Sequence, residues 1–382
     1  MLTTTFDPHN WAAVPFHFWS LVFFVFGSIV GSFLNVCIYR MPLGQSIVAP
    51  PSHCPHCKYS IPWYLNIPLV TWVYLRAKCR NCGAPISPRY FLVELLTAVV
   101  FLCCWLAYGS QSAGLALAYA FFLSGLIVAT FIDVEYLIIP DEITIGGMVA
   151  GFICSFLLPA LQGQTSVSAG MKHSLLGMAV GAGVIYAIAR AGKLWLGRRR
   201  IALPADGRVV FTETAVVLPD ESIPYGELFY RKSDVVTLQA RTLELVDRCY
   251  KDVPVRLQQA SLEIGDEKLN PEEVQHMEAV SDEIVLPREA MGLGDTKFMG
   301  AIGAFLGWKA VLFSIMLSSI VGSVYGVTLI VLRKRDWSSQ VYYGPFLALG
   351  AAVWVFGGER LIEWWFAIWA KAARLLALCL VS

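Results

Sequence analysis

The sequence predicts an all-α polytopic membrane protein of about eight transmembrane helices, interrupted by one small loop domain and one larger inserted domain of mixed α/β character. Three observations predict it. The 382-residue chain is 57% hydrophobic and only 15% charged, far more apolar than an ordinary soluble domain. Several runs reach the roughly 20 apolar residues needed to cross about 30 Å of hydrocarbon at about 1.5 Å per residue. The charges gather into two stretches, whereas a large soluble helical protein spreads them over polar helix faces.

Taken in order, the first span is placed at 17–38. Residues 1–16 carry Asp7 and no Lys or Arg, and the apolar run from Phe18 is too long for a signal-peptide core. Residues 39–90 form a loop domain rich in Cys, Pro and basic residues, and 91–192 hold spans 91–108, 113–132, 143–161 and 173–192. Residues 193–290 are charged and alternate in places, as in Arg208-Val209-Val210-Phe211-Thr212-Glu213, which predicts a soluble domain of strand and helix. Spans 296–307, 309–332 and 342–357 occupy 291–358, and 359–382 read as an interfacial helix with Trp364, Trp365 and Trp369 among Glu363, Lys371 and Arg374.

Orientation follows the basic residues beside the spans. Arg40, Lys58, Arg76, Lys78, Arg80 and Arg89 lie in the loop domain, Lys193 and Arg198 to Arg200 open the insertion, and Arg333, Lys334 and Arg335 follow the seventh span. The alternate loops carry only Lys172. The basic loops therefore face the cytoplasm and the N-terminus faces outward. A net charge of +1 with no basic tail gives no footing for nucleic acid; the implied surroundings are the lipid bilayer.

Cys54-Pro55-His56-Cys57 and Cys79-Arg80-Asn81-Cys82 are two C-x-x-C knuckles in one short loop. Each spacing lets two thiolates point at one ion, and together Cys54, Cys57, Cys79 and Cys82 complete a tetrahedral sulfur shell suited to zinc. The competing pair of disulfides is disfavoured on the cytoplasmic side. Four thiolates leave no open position, so the zinc is structural. His53 and His56 could substitute as ligands, but the four cysteines already fill the shell; Cys37, Cys103, Cys104, Cys154, Cys249 and Cys379 read as small core residues.

Asp133 ends the third span, Asp141 follows in Ile139-Pro140-Asp141, and Asp295 closes Gly292-Leu293-Gly294-Asp295. Carboxylates at membrane depth are functional candidates by default. Two that converge share a proton and supply an acid and a base at one pH. Either aspartate alone also fits a helix cap or an interfacial charge, and Asp141, ahead of a helix, reads as an N-cap.

Together these segments resemble the type IV prepilin peptidase and N-methyltransferase family. The resemblance rests on Gly31-Ser32-Phe33-Leu34-Asn35-Val36 with Arg40-Met41-Pro42, and on the cysteine pairs around Ile61-Pro62-Trp63-Tyr64-Leu65-Asn66-Ile67-Pro68. It continues through Ile86-Ser87-Pro88-Arg89-Tyr90 with Glu94, Ile132-Asp133, Ile139-Pro140-Asp141, Gly292-Leu293-Gly294-Asp295-Thr296-Lys297 and Tyr343-Gly344-Pro345-Phe346-Leu347-Ala348. It implies an aspartic membrane protease of the bacterial inner membrane, with Asp133 and Asp295 as the catalytic dyad and Asp141 as a neighbouring motif residue. Its substrates would be prepilins or type II secretion pseudopilins, cut after a glycine, with the new N-terminus methylated from S-adenosylmethionine. No glycine-rich methyl-donor loop is legible, so no donor-binding residue is named.

Residues 193–290 depart from the family pattern, in which the fifth span runs almost directly into the G-x-G-D motif. The insertion could recognise substrate, dock to secretion or pilus-assembly machinery, or shield the site. A non-enzymatic assembly protein on a degenerate peptidase frame is the rival reading, and the two intact aspartates favour the enzyme. A proton-coupled transporter is weakened by the lack of matched broken helices in two halves.

Overall fold

The computed structural model describes residues 15–365, except 197, 205–206, 220, 230–233, 272–273, 275, 288–291 and 333–341, together with residue 367. The basic cluster Arg333 to Arg335, Cys379 and most of the interfacial segment expected at 359–382 lie outside the described residues. The chain forms two compact units, Met1–Ile185 with Leu293–Ser382, and Tyr186–Gly292.

The first unit is helical. Its elements are α1 (Phe16–Arg40), the short α2 (Val70–Tyr74), α3 (Pro88–Tyr108), α4 (Ala113–Tyr136), α5 (Asp141–Leu157), α6 (Val167–Leu196, which crosses into the second unit), α8 (Leu293–Val331) and α9 (Gly344–Val353). Helix starts follow local chemistry. Ser87 accepts a hydrogen bond from Arg89 N ahead of Pro88, and Ser112 accepts one from Leu115 N. Among the described residues, six segments are long and apolar enough to cross a membrane: 16–43, 88–108, 113–136, 167–193, 293–331 and 344–365. α5 has 17 residues, and α8 is a 39-residue run interrupted at Gly307, where φ 78° and ψ 174° leave the helical region.

The break at Gly307 frees carbonyls that hydrocarbon cannot satisfy. Ser174 Oγ donates to Ala304 O at 2.8 Å, and Gln162 Nε2 donates to Ala304 O at 2.8 Å and Phe305 O at 3.1 Å. α6 and α8 cross with backbones in contact, since a Cβ on Gly177 would fall 2.1 Å from Gly303 O. Small residues permit this approach, which van der Waals packing in a membrane rewards.

The second unit is nearly all β. Ten strands form one antiparallel sheet: β1 (Arg198–Ala202), β2 (Arg208–Phe211), β3 (Ala215–Val217), β4 (Ser222–Pro224), β5 (Val235–Leu245), β6 (Cys249–Gln258), β7 (Ser261–Ile264), β8 (Glu267–Leu269), β9 (Met277–Val280) and β10 (Glu283–Pro287). The order is β4-β3-β2-β9-β5-β6-β7-β8, with β10 pairing both β5 and β1. The expected mixture of strand and helix is corrected here. Apart from the end of α6, helix among the described residues of this unit is one turn, α7 (Tyr225–Leu228), because the alternating runs bury every second residue, as Val209 and Phe211 do in β2. Leu238, Leu243, Val255, Leu262 and Met277 join them in one core. Cys249, expected in a core, is exposed. β1 and β10, the first and last strands of the unit, lie side by side, with Arg198 opposite Pro287.

Candidate functional site

The loop between α1 and α3 contains two matching knuckles. In the first, Lys58 N donates to Cys54 O and Cys54 N to Tyr59 O, both at 2.9 Å. In the second, Gly83 N donates to Cys79 O at 3.0 Å and Cys79 N to Ala84 O at 2.8 Å. The residue after each knuckle is left-handed, Lys58 at φ 58° and Gly83 at φ 71°. This repeated turn aims both thiols of a knuckle to one side.

The four sulfurs of Cys54, Cys57, Cys79 and Cys82 all lie within 4.8 Å of one another. Cys54 to Cys82 is 3.8 Å and Cys57 to Cys79 is 4.0 Å. A tetrahedral shell with metal–sulfur bonds of about 2.3 Å has edges of about 3.8 Å, so the cluster has the dimensions of an S₄ metal site. The Asn81 amide donates to Cys57 Sγ at 3.6 Å and, as the leading cause, lowers that thiol's pKa to about 6. A metal binds the thiolate form, which this bond favours. His53 Nδ1 lies 3.0 Å from Pro51 O, engaged away from the cluster.

At the bundle's other polar feature, α4 runs on past Asp133 to Tyr136, so Asp133 sits one turn inside the helix rather than at its end. Leu137 then adopts φ 57° and donates its N–H to Asp133 O at 2.9 Å, closing the helix. The Asp133 side chain is buried, with 7% exposure, and its Oδ2 accepts the Gly344 N–H at 3.1 Å. Gly344 is the first residue of α9, where backbone donors have no partner within the helix. A carboxylate placed there gains both a hydrogen bond and the positive end of the helix dipole. A Cβ on Gly344 would fall 2.7 Å from Asp133 Oδ2, so only glycine admits this contact.

Asp295 lies in the first turn of α8 and is half-buried. Ile139 packs between the two motifs. A methyl built on Gly344 would stand 3.2 Å from Ile139 Cδ1, and one on Gly294 would stand 3.6 Å from Ile139 Cβ. Asp141 is not an N-cap. Pro140 holds that position, and the Asp141 carboxylate instead pairs with Lys297 Nζ at 2.6 and 2.9 Å. The Ile139-Pro140-Asp141 segment thus touches the start of α8 twice and the start of α9 once. The Gly344 backbone donor is the feature that a list of titratable residues misses; Gly-Pro at a helix start is its only trace in sequence.

The sequence matches known families in two parts. The family model for the bacterial peptidase A24 N-terminal domain matches residues 25–108. That for the type IV leader peptidase family matches 120–198 and 279–327, leaving the middle of the β unit uncovered. A prepilin leader peptidase/N-methyltransferase of Aeromonas hydrophila is 27% identical over 379 residues, covering 92% of this chain and 95% of its own. One from Myxococcus xanthus (strain DK1622) is 46% identical over 159 residues, covering 41% of this chain and 44% of its own. A type 4 prepilin-like proteins leader peptide-processing enzyme of Escherichia coli O78:H11 is 41% identical over 148 residues, covering 34% and 54%. No solved structure matches the chain. With both family parts matched in order, and a relative aligned along nearly all of its length, the chain belongs to the type IV prepilin leader peptidase family.

Proposed function

We propose that this protein cleaves the leader peptide of type IV prepilins or type II secretion pseudopilins at the cytoplasmic face of the bacterial inner membrane, with Asp133 and Asp295 as the catalytic dyad. The contact that carries the reading is Gly344 N–H on Asp133 Oδ2, which fixes one carboxylate beside the segment that packs on the G-x-G-D turn. In this reading one carboxylate takes a proton from water as the water oxygen attacks the scissile carbonyl carbon. The other gives its proton to the departing amide nitrogen. Asp141 and Lys297 hold the two motifs in register from outside the dyad.

Eight spans fit this arrangement, counting α5 and dividing α8 at Gly307. A 39-residue helix would extend about 58 Å, nearly twice the hydrocarbon thickness. The cysteine cluster and the β unit are cytoplasmic in this reading, which the basic residues beside the spans support. The cluster holds one structural zinc, as its edge lengths support. The chain also N-methylates the new terminus, for which S-adenosylmethionine is the donor we propose. The regular elements described in the first unit are helices, without a strand and glycine loop to cradle such a donor. No residue is assigned to the donor and no step is routed through it.

Asp133→Asn and Asp295→Asn are each expected to reduce leader cleavage by at least about a hundredfold, the scale of general acid–base catalysis, while the protein still accumulates in the membrane. Mass spectrometry of one prepilin incubated with each variant reads this. Wild-type cleavage in either variant removes that residue from the dyad.

A further inference from the structure

Between α1 and α3 lies a polar seam that the dyad does not use. Asn35 is 2% exposed. Its Nδ2 donates to Gly31 O at 3.3 Å and Tyr90 O at 3.0 Å, and its Oδ1 is buried with no hydrogen-bond partner. Glu94 is 9% exposed and stands one turn beyond Tyr90. Its Oε2 accepts the Leu69 N–H at 2.7 Å. A Cβ on Gly31, one turn from Asn35, would lie 2.7 Å from Glu94 Cα, so the two side chains share the seam between the helices.

Leu69 holds φ 63° and ψ −49°, a conformation uncommon outside glycine. The cysteine loop therefore sends a strained backbone donor into the bundle to fix this carboxylate. The seam also belongs to the Asp133 end of the bundle. Arg89, at the start of α3, is ion-paired with Glu135 on α4. Ile132, next to Asp133, packs in one cluster with Leu34 and Ile38, which flank Asn35.

A buried carboxylate beside a buried acceptor without a donor lacks one component, a cation carrying several N–H groups. A primary ammonium supplies three donors and one positive charge, and charged acceptors bind it more strongly than neutral ones. We propose that Asn35 Oδ1 and the Glu94 carboxylate receive a primary ammonium group, the α-ammonium that leader cleavage exposes on the processed substrate. This assignment rests on the leader-peptidase reading. That terminus begins an apolar helix and is released at the dyad's end of the bundle, which is where the seam lies.

The test uses the full-length protein in detergent and two synthetic peptides of the mature substrate's N-terminal segment, one with a free α-amine and one N-acetylated. Wild-type protein is expected to bind the free amine about tenfold more tightly, as a charge-assisted hydrogen bond would give. Glu94→Gln keeps an acceptor for Leu69 N–H but loses the charge, and is expected to bring the ratio near one. Asn35→Leu is expected to do the same and Asn35→Asp to preserve the preference. Binding of the N-acetylated peptide at wild-type affinity shows that a variant keeps its fold. An unchanged ratio in an E94Q protein that passes this control, or a wild-type ratio near one, overturns the proposal. S-adenosylhomocysteine carries the same α-ammonium and forms a third arm. If E94Q weakens its binding and leaves the peptide ratio intact, the assignment to the substrate terminus falls. Cleavage of intact prepilin by the same wild-type preparation tests the peptidase reading separately.

Discussion

The stretch between α1 and α3 and the stretch between α6 and α8 are both polar excursions from apolar helices, but they hold their shape by different means. The first has one five-residue α-helix, two three-residue 3-10 turns, two isolated bridges and many exposed apolar side chains, including Trp63 and Tyr74. Its order centres on four sulfurs within 4.8 Å of one another. The second buries Val209, Phe211, Leu243, Met277 and thirteen more residues in a continuous core between hydrogen-bonded strands. A segment of the first kind is too short to bury much surface and gathers its four thiols where a metal could hold it, while one of the second kind can fold on burial alone.

The largest expected effect is on the four-cysteine stretch. Cys54→Ser or Cys79→Ser should lower zinc from about one per chain toward none and remove hydrogen-exchange protection across residues 54–82, because zinc in such sites contributes about 10–16 kcal/mol to folding. The β unit should keep its protection. A reduced, metal-replete preparation without zinc breaks the comparison. Next in size, Leu243→Ala in the full chain should lower amide protection in β5 and β6 by the equivalent of about 2–5 kcal/mol, since Leu243 is fully buried in a central strand. Zinc content should not change. Smallest is Lys268→Ala, which removes an exposed cross-strand ion pair with Glu263 at 3.3 Å and should cost less than about 1 kcal/mol by the same measurement.

What the sequence made legible was what periodicity and spacing encode. Apolar runs located the helices, the C-x-x-C pairs located the cluster, and the alternation at 208–213 located β2. Helix ends were less clear, because polar residues such as Asp133 continue a helix without continuing its apolar run. Asp141 looked like a cap from local order alone, yet its partner Lys297 is 156 residues away. The seam of Asn35, Glu94 and Leu69 joins three segments through a side-chain oxygen and a backbone N–H, which no single-segment pattern reports. The mixture of strand and helix expected in the insertion resolved to strands: most of its alternating segments run only three to five residues, too short for a composition-level reading to separate from helix.

The pairing of β1 with β10 has a consequence for chain entropy. Joining α6 to α8 through a flexible connection of roughly a hundred residues would carry a closure cost that grows as (3/2)RT ln n. Because Arg198 to Ala202 are zipped against Glu283 to Pro287, the helices are tethered through only a few residues on either side of a preformed clasp. The difference is on the order of 2 kcal/mol. A long insertion can thus precede the G-x-G-D motif at a closure cost set by its paired end strands rather than by its full length.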